Sequence, residues 1–104
     1  MATGILGQSA PTAATNTTVY TVPASTVGTI SINAVSTLGQ GGTISIALSA
    51  TATPGSTEWL EYNVQVPGNT ALERTGIVMQ ATKNVVVFAT AGFVVSVYGY
   101  ETAA

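Results

Sequence analysis

Two apolar runs near the end of the chain constrain the fold most strongly. Residues 83–102 read KNVVVFATAGFVVSVYGYET, in which two runs rich in β-branched and aromatic residues flank a Thr-Ala-Gly tripeptide at 90–92. Such runs favour strands, and a short connection that contains glycine favours a hairpin between them. Successive strand side chains point to opposite faces, so Phe93, Val95 and Val97 share one face and are predicted to lie in the core. The sequence therefore predicts a C-terminal hairpin in the middle of a sheet.

Short strands also account for the rest of the chain. Apolar and polar residues alternate in several segments separated by turns that contain Gly or Pro, and no segment shows a helical apolar period of useful length. We expect an all-β fold, an antiparallel β-sandwich that is jelly-roll-like and has six to eight short strands. The other predicted strand segments are residues 17–22, 27–35, 43–49, 58–66, 70–74 and 77–80.

Alternation also predicts which side chains form the core. In residues 58–66, Leu60, Tyr62 and Val64 fall on one face, with Glu61 and Asn63 on the other. The inward faces of four segments together give one predicted core, which comprises Ile30, Ile32, Ile44, Ile46, Leu48, Leu60, Tyr62, Val64, Phe93, Val95 and Val97.

The first residues of the chain differ from the remainder. Residues 1–16 are small and polar and show little periodicity, so we predict an extended N-terminal arm at 1–16 and a β-sandwich domain at 17–104. Ile5 and Leu6 are expected to lie outside any strand and to anchor the arm on a partner. A disordered tail is the alternative, since chain termini often fray. The start lacks the features of a signal peptide, so we expect synthesis in the cytoplasm without export by the usual route.

Charge is scarce, and this limits the classes of partner. Only six residues are charged, or 6% of the chain against about 25% in an average soluble domain. A surface with so little charge suits a protein that is packed against neighbours, because interface cores are depleted in charge. The two cations, Arg74 and Lys83, cannot form the basic cluster that phosphate binding requires. We therefore expect no nucleic-acid partner, and no apolar run is long enough for a membrane-spanning helix.

The sequence contains little that could support catalysis. It has no Cys, His or Asp, so it lacks a thiolate nucleophile, the commonest general base and the commonest metal ligands, and its abundant Ser and Thr have no His to activate them. The four carboxylates are predicted to be solvated charges on strand surfaces, because Glu58 and Glu61 are three apart and should point to opposite faces. We predict a protein that is not an enzyme, with no catalytic residue, no metal site and no cofactor.

Aromatic side chains are the best candidates for contacts. Trp59, Tyr98 and Tyr100 lie on faces opposite the predicted core faces of their strands. Aromatic residues are enriched at protein interfaces and also stack on sugars, so both uses stay open. The candidate partner interface is Ile5, Leu6, Trp59, Tyr98 and Tyr100.

Three stretches resemble small structural modules of tailed bacteriophages. They are the opening ILGQSAP at residues 5–11, VYTVPA at 19–24 with the alternating strand that follows, and VVSVYGYE at 94–101. The middle element at 72–79 and the order of the strands are also similar, so the likeness spans nearly the whole chain. Family members often carry Gly-Asp in the turn before the last two strands. This chain has Thr82-Lys83-Asn84 there, so nothing that depends on the Asp can be transferred.

The resemblance implies a virion structural protein. Its members look like capsid decoration or cement proteins, or parts of tails and fibres. The expected partners are the major capsid protein or other virion proteins and further copies of the chain, in a dimer or trimer, at the capsid surface. The alternatives are a tail or fibre component that binds a host receptor, and a small carbohydrate-binding module.

Overall fold

The computed structural model describes residues 3–103, which form two four-stranded antiparallel sheets packed face to face. One sheet has the strand order β1-β8-β3-β6 and the other β2-β7-β4-β5. This architecture confirms the antiparallel β-sandwich. The strands are β1 (Thr3–Ser9), β2 (Thr17–Thr21), β3 (Thr26–Ser36), β4 (Gly42–Ser49), β5 (Trp59–Val66), β6 (Ala71–Met79), β7 (Asn84–Ala89) and β8 (Phe93–Ala103).

The pairing pattern is that of a jelly roll. The first strand pairs with the last, β2 with β7, β3 with β6, and β4 with β5. The chain therefore follows the path of one long hairpin that turns back between β4 and β5. Rolling this hairpin up adds the pairings β3–β8 and β4–β7, which divide it into two sheets. Eight strands in two sheets with this winding define the jelly roll.

The predicted C-terminal hairpin is wrong. The two apolar runs do form consecutive strands, but β7 lies in one sheet and β8 in the other. The connection between them crosses the sandwich and is held at both ends by backbone hydrogen bonds. The Thr90 N–H donates to Thr43 O at 3.0 Å, and the Thr37 N–H donates to Gly92 O at 2.7 Å. Gly92 has a φ of +86°, which suits glycine. Local sequence specified two strands and a tight connection, but a strand's hydrogen-bonding partner is decided by the rest of the chain.

Most of the predicted core is confirmed. Seven of its members are buried, and Leu48 packs against them while partly exposed. The buried members of the predicted core are Ile30, Ile32, Ile44, Ile46, Phe93, Val95 and Val97. The same cluster contains inward side chains that the prediction did not include, namely Tyr20, Val22, Val66, Met79, Val85, Val87 and Ala89.

The prediction for β5 is wrong in its first half. Tyr62 is 64% exposed and Leu60 is also exposed, whereas Val64 is half-buried beside Ile44. The register shifts twice along the β4–β5 pairing, and Asn63 has a φ of +50°. Such a bulge inserts an unpaired residue, so the alternation changes phase there. As a result Glu61, which was predicted to face outward, pairs with inward-facing Ile46.

Ile5 and Leu6 do not lie outside a strand, contrary to the prediction. Both belong to β1, which pairs with β8 from Thr3–Tyr100 to Ser9–Val95. A register shift between Ile5 and Gly7 leaves Ile5 exposed and lets Leu6 pack against the core. Residues 3–9 are thus an edge strand of the sandwich, and residues 10–16 connect it to β2.

The two open sides of the sandwich are closed by different means. On one side, a Cβ on Gly7 of β1 would lie 2.3 Å from the Val19 carbonyl oxygen, so only glycine allows this close approach to β2. On the other side, Arg74 of β6 forms an ion pair with Glu61 of β5. Inward-pointing charges on edge strands discourage the addition of a further strand.

Tyr20 of β2 and Glu101 of β8 form a partly buried hydrogen bond between the two sheets. The Tyr20 hydroxyl donates to Glu101 Oε2 at 2.5 Å, and Gly28 beside it leaves room for the ring. Burial, followed by the hydrogen bond and the charge of Glu101, raises the pKa of Tyr20. The folded state therefore favours the neutral phenol.

We expect Ile46→Ala to lower the free energy of unfolding by about 2–5 kcal/mol, because Ile46 is completely buried and its truncation leaves a cavity. Urea denaturation checks this value. Val78→Ala, on an exposed side chain, is the control and should change stability by less than about 0.5 kcal/mol. A loss for Ile46→Ala as small as the control would contradict the packing described.

Tyr20→Phe should lower the free energy of unfolding by about 1–2 kcal/mol at pH 7, because a partly buried hydrogen bond to a carboxylate is lost. The raised pKa of Tyr20 also determines how stability depends on pH. The stabilisation that the Tyr20 hydroxyl contributes to the folded state is complete below about pH 10, where the unfolded phenol titrates, and is lost as pH rises above that value. Urea denaturation between pH 7 and 11 should show a shallower alkaline decline in the variant. Tyr62→Phe, which removes an exposed hydroxyl, is the control, and equal declines in both variants would contradict this role.

Candidate functional site

The carboxylates are spread over four separate places. Glu58 holds a loop, Glu61 pairs with Arg74, and Glu73 and Glu101 accept hydrogen bonds from Tyr98 and Tyr20. Within residues 3–103 no three His, Cys, Asp or Glu side chains are grouped so that they could hold a metal ion. The same residues include no helix that is long and apolar enough to cross a membrane. The candidate binding surfaces are therefore the two outer faces of the sandwich.

An exposed apolar patch lies on the outer face of the β1-β8-β3-β6 sheet. Tyr100 and Tyr98 of β8 lie side by side with Thr3 and Ile5 of β1, respectively, and Val78 of β6 lies in the same row as Tyr100 across Thr29. Ile5 is 63% exposed, Val78 67% and Tyr100 49%. We call Ile5, Val78, Val94, Tyr98 and Tyr100 the outer patch.

The outer patch is almost free of charge. Of the described residues that the register places on this face, Glu73 is the charged one, and its Oε2 accepts a hydrogen bond from the Tyr98 hydroxyl at 2.6 Å. That bond is the main cause of the raised pKa of Tyr98. The contact also links Tyr98 of β8 to β6 across β3.

The structure divides the five predicted contact residues among three environments. Ile5, Tyr98 and Tyr100 come together on the outer patch, whereas Leu6 packs towards the core and Trp59 belongs to the opposite sheet. Sequence reasoning missed Val78 because its segment was interpreted without the bulge near Gly76, whose φ is +70°. A glycine inside a strand pattern is the signal that could have indicated this change of phase.

The second feature is an aromatic cleft on the outer face of the β2-β7-β4-β5 sheet. It is an open depression of about 270 Å³, and a second one of about 280 Å³ is lined by the same two aromatic residues, Trp59 and Tyr62, and by Ser56. The Trp59 and Tyr62 rings meet edge to face, with centroids 5.3 Å apart and an interplanar angle of 63°. The residues that line the aromatic cleft are Asn16, Ser45, Trp59, Tyr62, Asn63 and Phe88.

The bulge in β5 builds this cleft. Buried Ser45 accepts the Asn63 N–H at 2.8 Å, and its hydroxyl donates to Asn63 Oδ1 at 3.4 Å. These two bonds hold Asn63 in its left-handed conformation, and the change of phase turns Tyr62 outward next to Trp59. Phe88 lies beside Ser45 on β7, so the row Phe88–Ser45–Asn63 forms the floor and one wall.

Glu58 orders the loop that precedes Trp59. Its carboxylate accepts the Gly55 N–H at 2.7 Å, the Ala50 N–H at 3.1 Å and the Ser49 hydroxyl at 3.0 Å. These bonds, with the backbone bond from Gly55 as the largest cause, lower the pKa of Glu58. The loop therefore enters β5 in a fixed geometry, which positions the aromatic pair.

Comparison with known proteins adds no relative to this picture. No protein-family model matches the chain, and no curated protein or solved structure matches it significantly. Function must therefore be argued from the two faces themselves.

Glu58→Gln should reduce the protection of the Gly55 and Ala50 amides from hydrogen exchange at neutral pH, because a neutral amide is a weaker acceptor than a carboxylate. In the wild type, the lowered pKa of Glu58 means that protection persists as pH falls to about 4.3, the usual value, and is lost only below it. Exchange measured by NMR across this range checks both statements. Glu73→Gln, on the other sheet, is the control and should leave these amides protected.

Proposed function

We propose that the protein is a non-enzymatic structural protein of a bacteriophage virion, a capsid decoration or cement protein that stabilises the head surface. The observation that carries the proposal is the outer patch, which lies on a partly aromatic sheet face with little charge that no other part of residues 3–103 covers. Exposure of such a face to water is unfavourable for a monomer, and large exposed apolar patches mark interaction sites.

The dimensions of this face suit a protein partner. Four strands spaced about 4.8 Å apart and a central strand of 11 residues give a surface of roughly 19 by 36 Å, or about 700 Å². A standard protein interface buries about 800 Å² on each partner. The face is therefore large enough for one specific contact with a capsid subunit or with another copy of the chain.

The composition of the face also fits repeated contacts in a shell. Tyrosine and isoleucine supply apolar area, while Thr3, Thr29 and Ser31 between them supply hydrogen-bonding groups without charge. In a symmetric shell each contact recurs many times, so modest individual affinities add up through multivalency. Association in dimers or trimers would cover further apolar area, and capsid proteins are the partners that we propose.

The fold and the sequence resemblance support the same class of protein. Jelly rolls are common in viral capsid domains and also in lectins, although a fold by itself does not specify a function. The resemblance to phage virion modules adds the phage context. The aromatic cleft favours the second candidate, a tail or fibre component that binds a receptor glycan.

A double variant, Ile5→Ser with Tyr100→Ser, should weaken retention on heads. Full burial of one such side chain contributes about 1.5–3 kcal/mol, so losing two partly exposed ones should weaken each contact by about 2–4 kcal/mol. The measurement is the occupancy of wild-type and variant protein on washed, purified phage heads, by quantitative mass spectrometry. Purified tails are analysed in parallel.

Tyr62→Ser, at an exposed tyrosine on the opposite face, is the control and should keep wild-type occupancy. Equal occupancy of the double variant and the wild type would exclude the outer patch as the docking surface. Protein found only with tails would favour the receptor-binding candidate, and absence from both fractions would overturn the virion assignment.

A further inference from the structure

We propose that the aromatic cleft is a binding site for a neutral glycan. The proposal rests on the β5 bulge and on the chemistry of the cleft, and it does not depend on a capsid role for the protein. It assigns stacking to Trp59 and Tyr62 and hydrogen bonding to the Asn63 side chain.

The first argument is that a rare backbone conformation at Asn63 accompanies the exposure of the Tyr62 ring. Asn63 has a positive φ inside a strand, a backbone conformation that costs free energy and persists only where surrounding contacts impose it. Ser45, which is 2% exposed, imposes it through its two hydrogen bonds with Asn63. Regular alternation would have placed Tyr62 in the core. The bulge instead sets it on the surface, and bulges that re-aim a side chain are typical of functional sites.

The second argument is that the exposed groups match a sugar. The ring C–H groups of a sugar pack on the faces of aromatic rings, and Trp59 and Tyr62 present two such faces at a large angle to each other. Ser45 engages the Asn63 side-chain oxygen, which leaves the Nδ2 donor for a ligand oxygen, and the Asn16 amide lies at the rim. Apolar walls with a few fixed polar groups are the usual composition of a ligand site.

The third argument concerns charge and size. None of the residues that line the two depressions is charged, and the nearby carboxylates of Glu58 and Glu61 are held by the loop and by Arg74. An anionic glycan would find no cation here, so the site suits an uncharged one. The depressions are too open to enclose an apolar small molecule and too small for a standard protein interface. Because both flank the same rings, they can hold neighbouring sugar units of one chain.

Trp59 is the single tryptophan of the chain, so its fluorescence reports binding directly. The full chain is titrated with neutral oligosaccharides of glucose, mannose, galactose and N-acetylglucosamine, and with heparin oligosaccharides of similar length as the anionic probe. The expected result is a saturable shift of the emission to shorter wavelength with at least one neutral probe and none with heparin. No shift with any neutral probe at millimolar concentration, or an equal shift with heparin, would overturn the proposal.

Variants then locate the site. Tyr62→Ala should weaken binding about tenfold through loss of one stacking face, and Asn63→Gly about threefold to tenfold, because glycine keeps the positive φ and removes only the amide. Tyr100→Ala, on the opposite face, is the matched control and should bind like the wild type. Equal affinities of Tyr62→Ala and Tyr100→Ala would exclude the aromatic cleft even if a glycan binds. Thermal unfolding of each variant verifies folding, and capsid occupancy of Tyr62→Ala tests the two proposals separately.

Discussion

The pairing of β3 with β8 is the constraint on which the rest of the structure depends. It runs without a register shift from Thr26–Ala103 to Ser36–Phe93, and each inward residue of one strand meets an inward residue of the other. Because β3 and β8 come from distant parts of the chain, their pairing closes a loop that contains strands β4 to β7. The β4–β7 pairing in the other sheet is equally regular. Pairing between such distant segments must precede the gain from burial, so folding of this topology is expected to be slow.

Irregularity is concentrated in the pairings that involve the outer strands. The register shifts in β1–β8, β2–β7, β3–β6 and β4–β5, each of which includes an edge strand. The two central pairings fix the core, while the bulges at the edges change which side chains face solvent. Ile5, Val78 and Tyr62 are exposed as a consequence, and these are residues on which the two candidate surfaces depend.

The sandwich therefore presents two faces with different chemistry. The outer patch is broad and has little charge, which fits the proposed attachment to another protein. The aromatic cleft is small and lined by neutral polar groups, and it suits a short stretch of glycan. Because the faces belong to opposite sheets, a particle-bound subunit attached through the outer patch would keep the aromatic cleft open to solvent. Attachment and glycan binding are thus compatible in one molecule.

The sequence by itself determined the fold class and most of the inner core, because strict alternation leaves little choice of face for Ile30, Ile32, Ile44, Ile46, Phe93, Val95 and Val97. It also placed Tyr98 and Tyr100 on an outer face, but only the structure put Ile5 beside Tyr98, because the sequence predicted Ile5 to lie outside any strand. Only the tertiary structure decided that β7 and β8 separate into different sheets, because the hydrogen-bonding partners of a strand lie far away in the chain. The position of Tyr62 likewise depends on Ser45 of the neighbouring strand, which holds the bulge at Asn63. The apolar periodicity of β5 alone cannot predict a contact with another strand.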